Sequence, residues 1–207
     1  IPGPSRNYKE SYWRAKTFAP SCLIFYLGVK KKINRLGHHT LFFDEDIDRH
    51  AFEIYQSPQW PSNPLFYVCC PSRTDPTVAP EGHENLFLLM PVAAGLTDGE
   101  ALRDTYYAMM MERLERFAGE PIRPFVEFKR SYSLDEFSAD YNAYKGNAYG
   151  LANTWSQTAI WRPKIRNRQI RHFYYAGQLT VPGPGVPPAI ISGKVAAALL
   201  HQSLSKS

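Results

Sequence analysis

Residues 181–188 read Val-Pro-Gly-Pro-Gly-Val-Pro-Pro, four prolines and two glycines in eight positions. No regular element continues through such a run. Each proline lacks the N–H that a helix interior or a sheet ladder needs, and each glycine adds backbone freedom. The chain must turn here, and its flanks are fixed in kind. On the N-terminal side, Phe173, Tyr174 and Tyr175 form a short run of high strand preference that Gly177 ends. On the C-terminal side, Pro187 and Pro188 suit a first helical turn, whose N–H groups lack partners anyway. From Ala189 on, Ile190, Ile191, Val195, Ala198, Leu199 and Gln202 follow helical spacing. The expected unit is strand, glycine-rich turn, helix. Such a turn lets a ligand approach bare backbone, and the helix aims free N–H groups and the positive end of its dipole at it. The same pattern also serves as a plain connector, so residue identities must decide.

Upstream, the spacing predicts strands over 22–29, 40–43, 65–70, 86–90 and 125–129, each an apolar or alternating run closed by a turn signal. Thr97 is expected to cap a helix, with Glu100 completing a capping box and Gly119 ending it. Leu102, Tyr106, Met109, Met110, Leu114 and Phe117 supply its apolar stripe. The run Met109-Met110-Met111 reads as core filler before it reads as a lipid groove. Ser133 is expected to cap a helical turn over 134–141, and 153–160 reads as a short helix. Residues 163–171 form a basic connector with four Arg or Lys. Together these give an α+β fold. One mixed, largely antiparallel sheet with flanking helices runs through about residue 165, and a separate terminal unit follows.

Charge and cysteine usage narrow the function classes. The net charge of +5 and the Lys30-Lys31-Lys32 run fit a solvated surface or an anionic membrane edge. Nucleic acid is not expected as a partner, because no zinc spacing, helix-turn-helix pattern or RNA-binding aromatic motif is present. No apolar stretch reaches the ~18 residues that span a bilayer. Cys22, Cys69 and Cys70 make no disulfide framework, which fits a reducing, cytoplasmic compartment. His38, His39, Asp44, Glu45, Asp46, Asp48 and His50 crowd one stretch, but their spacing matches neither a zinc module nor a calcium loop. The stretch reads as a solvated turn, and no metal is expected. No nucleophile elbow or triad emerges, so catalytic residues are unassigned.

Residue identities in the terminal unit do decide. Tyr174-Tyr-Ala-Gly-Gln-Leu-Thr-Val-Pro-Gly-Pro-Gly-Val-Pro-Pro188, with Ser192-Gly-Lys194 beyond it, resembles the C-terminal flavin-binding signature of the bacterial-type phytoene desaturases, the carotenoid desaturase family. Similarity continues through Ser21-Cys-Leu-Ile-Phe-Tyr-Leu-Gly28, Pro80-Glu-Gly82-His-Glu-Asn-Leu-Phe-Leu-Leu-Met-Pro91 and Lys145-Gly-Asn-Ala-Tyr-Gly150. The resemblance implies that 1–165 is a second segment of a substrate-binding domain and that 166–207 closes an FAD-binding domain. The Gly-x-Gly-x-x-Gly fingerprint that anchors a dinucleotide is not in this sequence; Gly183-Pro184-Gly185 is not that motif. In the family it lies in an N-terminal half, which is the implied partner.

The resemblance further implies FAD, a carotenoid substrate, and a quinone or oxygen as electron acceptor. It implies a cytoplasmic location peripheral to the membrane. The implied reaction removes hydrogen from a polyene and creates conjugated double bonds. On the same reading, Gly177 allows close approach to the cofactor and Thr180 hydrogen-bonds it. Pro182, Gly183 and Gly185 let the turn pass the ring, and Val186 faces its pyrimidine edge. Gln178 stands where several related flavin folds carry an acid. Gly193 reads as a helix-packing glycine. This piece alone is expected to hold no FAD, to lack activity and to self-associate. The alternatives are an FAD-dependent carotenoid isomerase without net redox and a non-catalytic apolar-ligand or membrane-surface module.

Overall fold

The computed structural model describes residues 3–205. Its helices and strands run α1 (Glu10–Arg14), β1 (Ser21–Val29), β2 (His39–Phe42), α2 (Ile47–Tyr55), β3 (Phe66–Cys69), β4 (Glu84–Val92), α3 (Glu100–Ala118), β5 (Val126–Tyr132), α4 (Leu134–Tyr141) and α5 (Val186–Leu204). The chain divides into two compact units. One is Pro20–Ala148, and the other joins residues 3–19 to 149–205.

Within Pro20–Ala148 the five strands form one antiparallel sheet in the order β2-β3-β4-β1-β5. The register sets Leu23 opposite Met90, Phe25 opposite Leu88 and Leu27 opposite Leu86. Because side chains alternate along a strand, these residues share one face with Val29, Val92, Val68 and Phe66. That face forms the core, closed by Tyr106, Met110, Met111 and Leu114 of α3. Met110 and Met111 are core filler, as expected, while Phe117 is exposed.

Several elements depart from the sequence expectation. The N-cap of α3 is Gly99, not Thr97. The Thr97 carbonyl accepts from the Trp60 indole, and the Asp98 carboxylate takes the Gly99 N–H at 2.8 Å. The sequence of residues 38–50 reads as a solvated turn, but Ile47 begins helix α2, which runs on to Tyr55. The Asp46 carboxylate caps it by accepting from the Asp48 and Arg49 N–H groups. The other charged groups of that stretch have separate tasks. Asp44 pairs with Arg113, and buried His50 lies 3.1 Å from the Leu65 N–H and 2.9 Å from the Pro91 carbonyl.

Two helix starts are locked by one buried cation. Arg103 donates to both oxygens of Asp98, at 2.9 and 2.5 Å, and to both oxygens of Glu136, at 2.7 and 2.8 Å. Glu136 also accepts from the N–H of Ser133, the cap of α4, at 2.8 Å. The Asp98 side chain is fully buried. Its hydrogen bonds to Arg103 and the Gly99 N–H hold its carboxyl below the ordinary range, although burial pushes the other way, and Glu136 is depressed by Arg103 and the Ser133 N–H in the same manner. Removing one partner of a buried pair strands the other charge, so Arg103→Met should cost about 3–5 kcal/mol. Both folded-state pKa values are depressed. Their contribution is therefore complete above the unfolded carboxylate range near about pH 4 and is lost as pH falls through the folded values. Urea unfolding between neutral pH and pH 3 should show wild-type stability falling in that acid window, with a flatter limb in the variant. Equal acid limbs would contradict the clamp.

Candidate functional site

In the unit formed by residues 3–19 and 149–205, the terminal segment is a turn and a helix rather than strand, turn and helix. Among the described residues, Phe173–Tyr175 has only an isolated bridge, Tyr174 opposite Arg166. The basic connector doubles back beside it, with Tyr175 N donating to the Ile165 carbonyl and Asn167 N to the Phe173 carbonyl. The buried Asn167 side chain then captures the N–H groups of Gln169 and Ile170, which ends any ladder after one bridge. The expected helix over 153–160 is instead two 3-10 turns, Trp155–Gln157 and Ala159–Trp161. Its Gln157 side chain is drawn off to the Thr17 backbone and the Ala152 carbonyl.

The turn itself is built as the sequence requires. Gly177, Gly183 and Gly185 have φ of +113°, +134° and +109°, values that an L side chain rarely adopts. The Val181–Pro182 peptide is cis. Thr180 is buried, and its hydroxyl donates to the Gly177 carbonyl at 2.9 Å. Gly177 N donates to the Ser192 hydroxyl at 2.7 Å, and that hydroxyl donates to the Ala189 carbonyl. Ser192, to which the sequence pattern assigned no role of its own, is thus the staple between turn and helix. Helix α5 begins at Val186, capped by Gly185. Pro187 and Pro188 occupy the next two positions, so Val186 alone among the first three residues has an N–H to offer. A Cβ on Gly193 would meet nothing within 4 Å, so the packing role expected for it is absent among the described residues.

Arg162 lies against this turn. Its side chain is 2% exposed. One terminal nitrogen donates to Asn153 Oδ1 at 2.5 Å and the Leu151 carbonyl at 3.4 Å, the other to the Gln178 carbonyl at 3.4 Å. Nε has no partner, and among the described residues no carboxylate pairs with this guanidinium. Burial lowers its pKa. A Cβ on Gly183 would stand 3.0 Å from the Arg162 Cζ and Nε, so the guanidinium is flush with the glycine backbone. A buried unpaired cation costs several kcal/mol and raises the local potential. Together with the helix dipole it makes the turn suited to an electron-rich or anionic group. That chemistry fits the ring end of a flavin. Nothing comparable to a pyrophosphate fingerprint is in the sequence.

The second candidate lies in Pro20–Ala148, on the sheet face opposite the core. The pairing aligns His39, Cys69, Phe87, Tyr26 and Arg130 across all five strands, and beside them Leu41, Tyr67, Leu89, Ile24 and Tyr132. Tyr26 and Phe87 pack with ring centroids 5.5 Å apart, and Phe87 and Tyr67 at 6.3 Å. Tyr26, Leu41 and Phe128 are exposed, and Tyr67, Phe87 and Leu89 are half-buried. The result is an apolar, aromatic surface with a polar rim. At about 4.8 Å per strand it spans roughly 19 Å.

The Gly183–Arg162 contact is testable without any ligand. Gly183→Ala forces an L residue to positive φ and presses a methyl on the guanidinium, and should cost roughly 2–4 kcal/mol. Gly193→Ala, in an open helical position, should gain about 0.5–1 kcal/mol. Urea midpoints read by tryptophan fluorescence check both, since Trp13, Trp155 and Trp161 belong to this unit. A Gly183→Ala midpoint equal to wild type would show that Arg162 is not fixed against the turn.

Comparison with known proteins follows the same lines. No protein-family model matches the chain. A carotenoid 3,4-desaturase from Haloarcula japonica is 39% identical over 99% of this chain and 41% of its own length. An all-trans-zeta-carotene desaturase from Myxococcus xanthus is 31% identical over 98% of the chain and 39% of its own. A phytoene desaturase from Fusarium fujikuroi is 28% identical over 94% and 38% respectively. The chain thus spans about two fifths of the length of the curated relatives it matches. Over nearly all its residues, the chain is homologous to carotenoid desaturases, phytoene desaturases among them.

Proposed function

We propose that this chain is part of an FAD-dependent oxidoreductase that introduces conjugated double bonds into a carotenoid. The observation that carries the reading is the open aromatic face of the sheet, on a chain whose relatives are named as carotenoid, zeta-carotene and phytoene desaturases. A polyene offers no charge and no hydrogen-bonding group, so a protein holds it by apolar area and ring contacts. Tyr26, Leu41, Tyr67, Phe87, Leu89 and Phe128 present such a surface. On this reading residues 1–165 contribute to the substrate-binding domain.

Residues 166–207 would close the cofactor domain, with Gly177, Gln178, Thr180, Pro182, Gly183, Gly185 and Val186 along the turn nearest the flavin. Bound FAD would supply the hydride acceptor, and a quinone or oxygen would regenerate it. The protein's part at this end is electrostatic. The buried Arg162 charge and the positive end of α5 favour negative charge next to the turn, at no cost of reorganisation. Thr180 and Ser192 spend their hydroxyls inside the unit, so they hold the turn's shape.

Helix α5 leaves Ile190 68% and Val186 74% exposed. We read these side chains as a seat for the remaining part of a longer enzyme; the bare chain would self-associate through the apolar surface of its substrate segment, about residues 21–142. No helix among the described residues is long and apolar enough to cross a membrane. A cytoplasmic enzyme that collects its lipid-soluble substrate at the membrane surface fits that observation.

A chimera tests the reading. The chain replaces the corresponding stretch of the Haloarcula japonica relative, and bound flavin and polyene products are measured. The expected outcome is stoichiometric flavin and products with additional conjugated double bonds. Gly185→Val should lose most of the flavin, because a β-branched residue at φ +109° is strained by about 1–3 kcal/mol. Lys194→Ala should keep it. A folded chimera that binds flavin but only isomerises the polyene would overturn the redox assignment. Retention of flavin by Gly185→Val would overturn the turn as cofactor site.

A further inference from the structure

A cluster of metal-ligating side chains lies at the β2 edge of the sheet, apart from the turn. His39 and Cys69 are direct cross-strand partners, so their side chains share a face. Neighbouring residues in a strand normally point to opposite faces. His38, however, sits in a bend just before β2, and its ring folds back onto that of His39, with centroids 4.2 Å apart. One ring nitrogen of each histidine and the Cys69 sulfur lie within 4.8 Å of one another.

Both imidazoles are oriented from outside the cluster. His38 Nδ1 is 2.6 Å from the Thr74 hydroxyl, and His39 Nδ1 is 2.5 Å from the Tyr67 hydroxyl. With Nδ1 of each ring engaged by a hydroxyl, a metal ion would be taken through Nε2. An outer hydrogen bond on one ring nitrogen is how proteins fix a histidine for metal binding through the other. In a tetrahedral zinc site, Zn–N distances of about 2.0–2.1 Å and Zn–S of about 2.3 Å put donors roughly 3.3–3.8 Å apart. Closing the cluster to that size needs side-chain movement of about an ångström. With His39 exposed, a fourth position faces solvent.

We propose that His38, His39 and Cys69 bind a zinc(II)-class ion through two imidazoles and one thiolate. The donor set excludes magnesium and calcium, which take oxygen ligands. Binding displaces the thiol proton and involves no electron transfer. The ion would tie the lead-in to β2 to the end of β3 at the rim of the aromatic face. The inference rests on these three residues and not on the proposed desaturase activity.

Cobalt(II) serves as the spectroscopic probe, added to the tag-free chain under reducing conditions. The expected result is one equivalent bound, with a thiolate-to-cobalt charge-transfer band that zinc(II) displaces. Cys69→Ser should abolish the band, and His38→Gln and His39→Gln should each weaken binding at least tenfold. Cys22 and Cys70 are buried, so Cys22→Ala should leave the band unchanged. Circular dichroism of each metal-free variant separates lost ligands from lost folding. No band in the wild-type chain, or a band that survives in folded Cys69→Ser, would overturn the proposal.

Discussion

The sheet of Pro20–Ala148 can bury only one of its faces against α3, and this constraint organises the rest of that unit. Leu23, Phe25, Leu27, Leu86, Leu88 and Met90 take the covered side. Strand geometry then forces Tyr26, Phe87 and Leu89 to the other. In an ordinary antiparallel sheet the second face is polar and wet. Here it carries aromatic and aliphatic side chains in rows that cross every strand, with Arg130 and His39 at the ends. Apolar surface of that kind on both faces costs solubility unless something apolar is meant to lie on it. The polyene reading of the protein begins there.

The terminal unit meets a different constraint. Its turn is made of residues that cannot be regular, and its shape is set by hydrogen bonds to Thr180 and Ser192 and by a guanidinium with no acid beside it. Proteins seldom bury an unpaired charge for stability, since desolvation is not repaid. Its presence against a glycine backbone is more easily understood as preorganised positive potential, held in place before any electron-rich group arrives. The two prolines after Val186 remove donors from the helix start. The dipole and Arg162, more than a ring of N–H groups, would then supply the attraction.

What was legible in the sequence followed from local periodicity. The apolar runs of β1 and β4, the α3 stripe apart from the exposed Phe117, the Gly119 stop and the Ser133 cap all involve neighbours within a few residues, and the structure has them. The irregular turn through Gly183 and Gly185 was likewise implied by the proline-glycine run, and their positive φ is what the structure adds. What was not legible depends on distant partners. Phe173–Tyr175 has strand preference but only a one-bridge neighbour, because Asn167 diverts the chain opposite. Asp46 looked like part of an acidic turn, although it caps α2. Arg162 stands beside a basic connector and reads as one more surface charge until the fold closes over it. The His38, His39 and Cys69 cluster joins residues separated by thirty positions, and no spacing rule spans that gap.

The central claim is that the open sheet face is a polyene-binding surface. The most direct measurement is chemical-shift mapping of the isotopically labelled chain with a detergent-solubilised carotenoid. The account predicts perturbations concentrated on Leu41, Tyr67, Phe87, Leu89, Tyr26 and Phe128, with Met110, Leu114 and the other core residues unmoved. Perturbations confined to α5, or none above those caused by detergent alone, would contradict it.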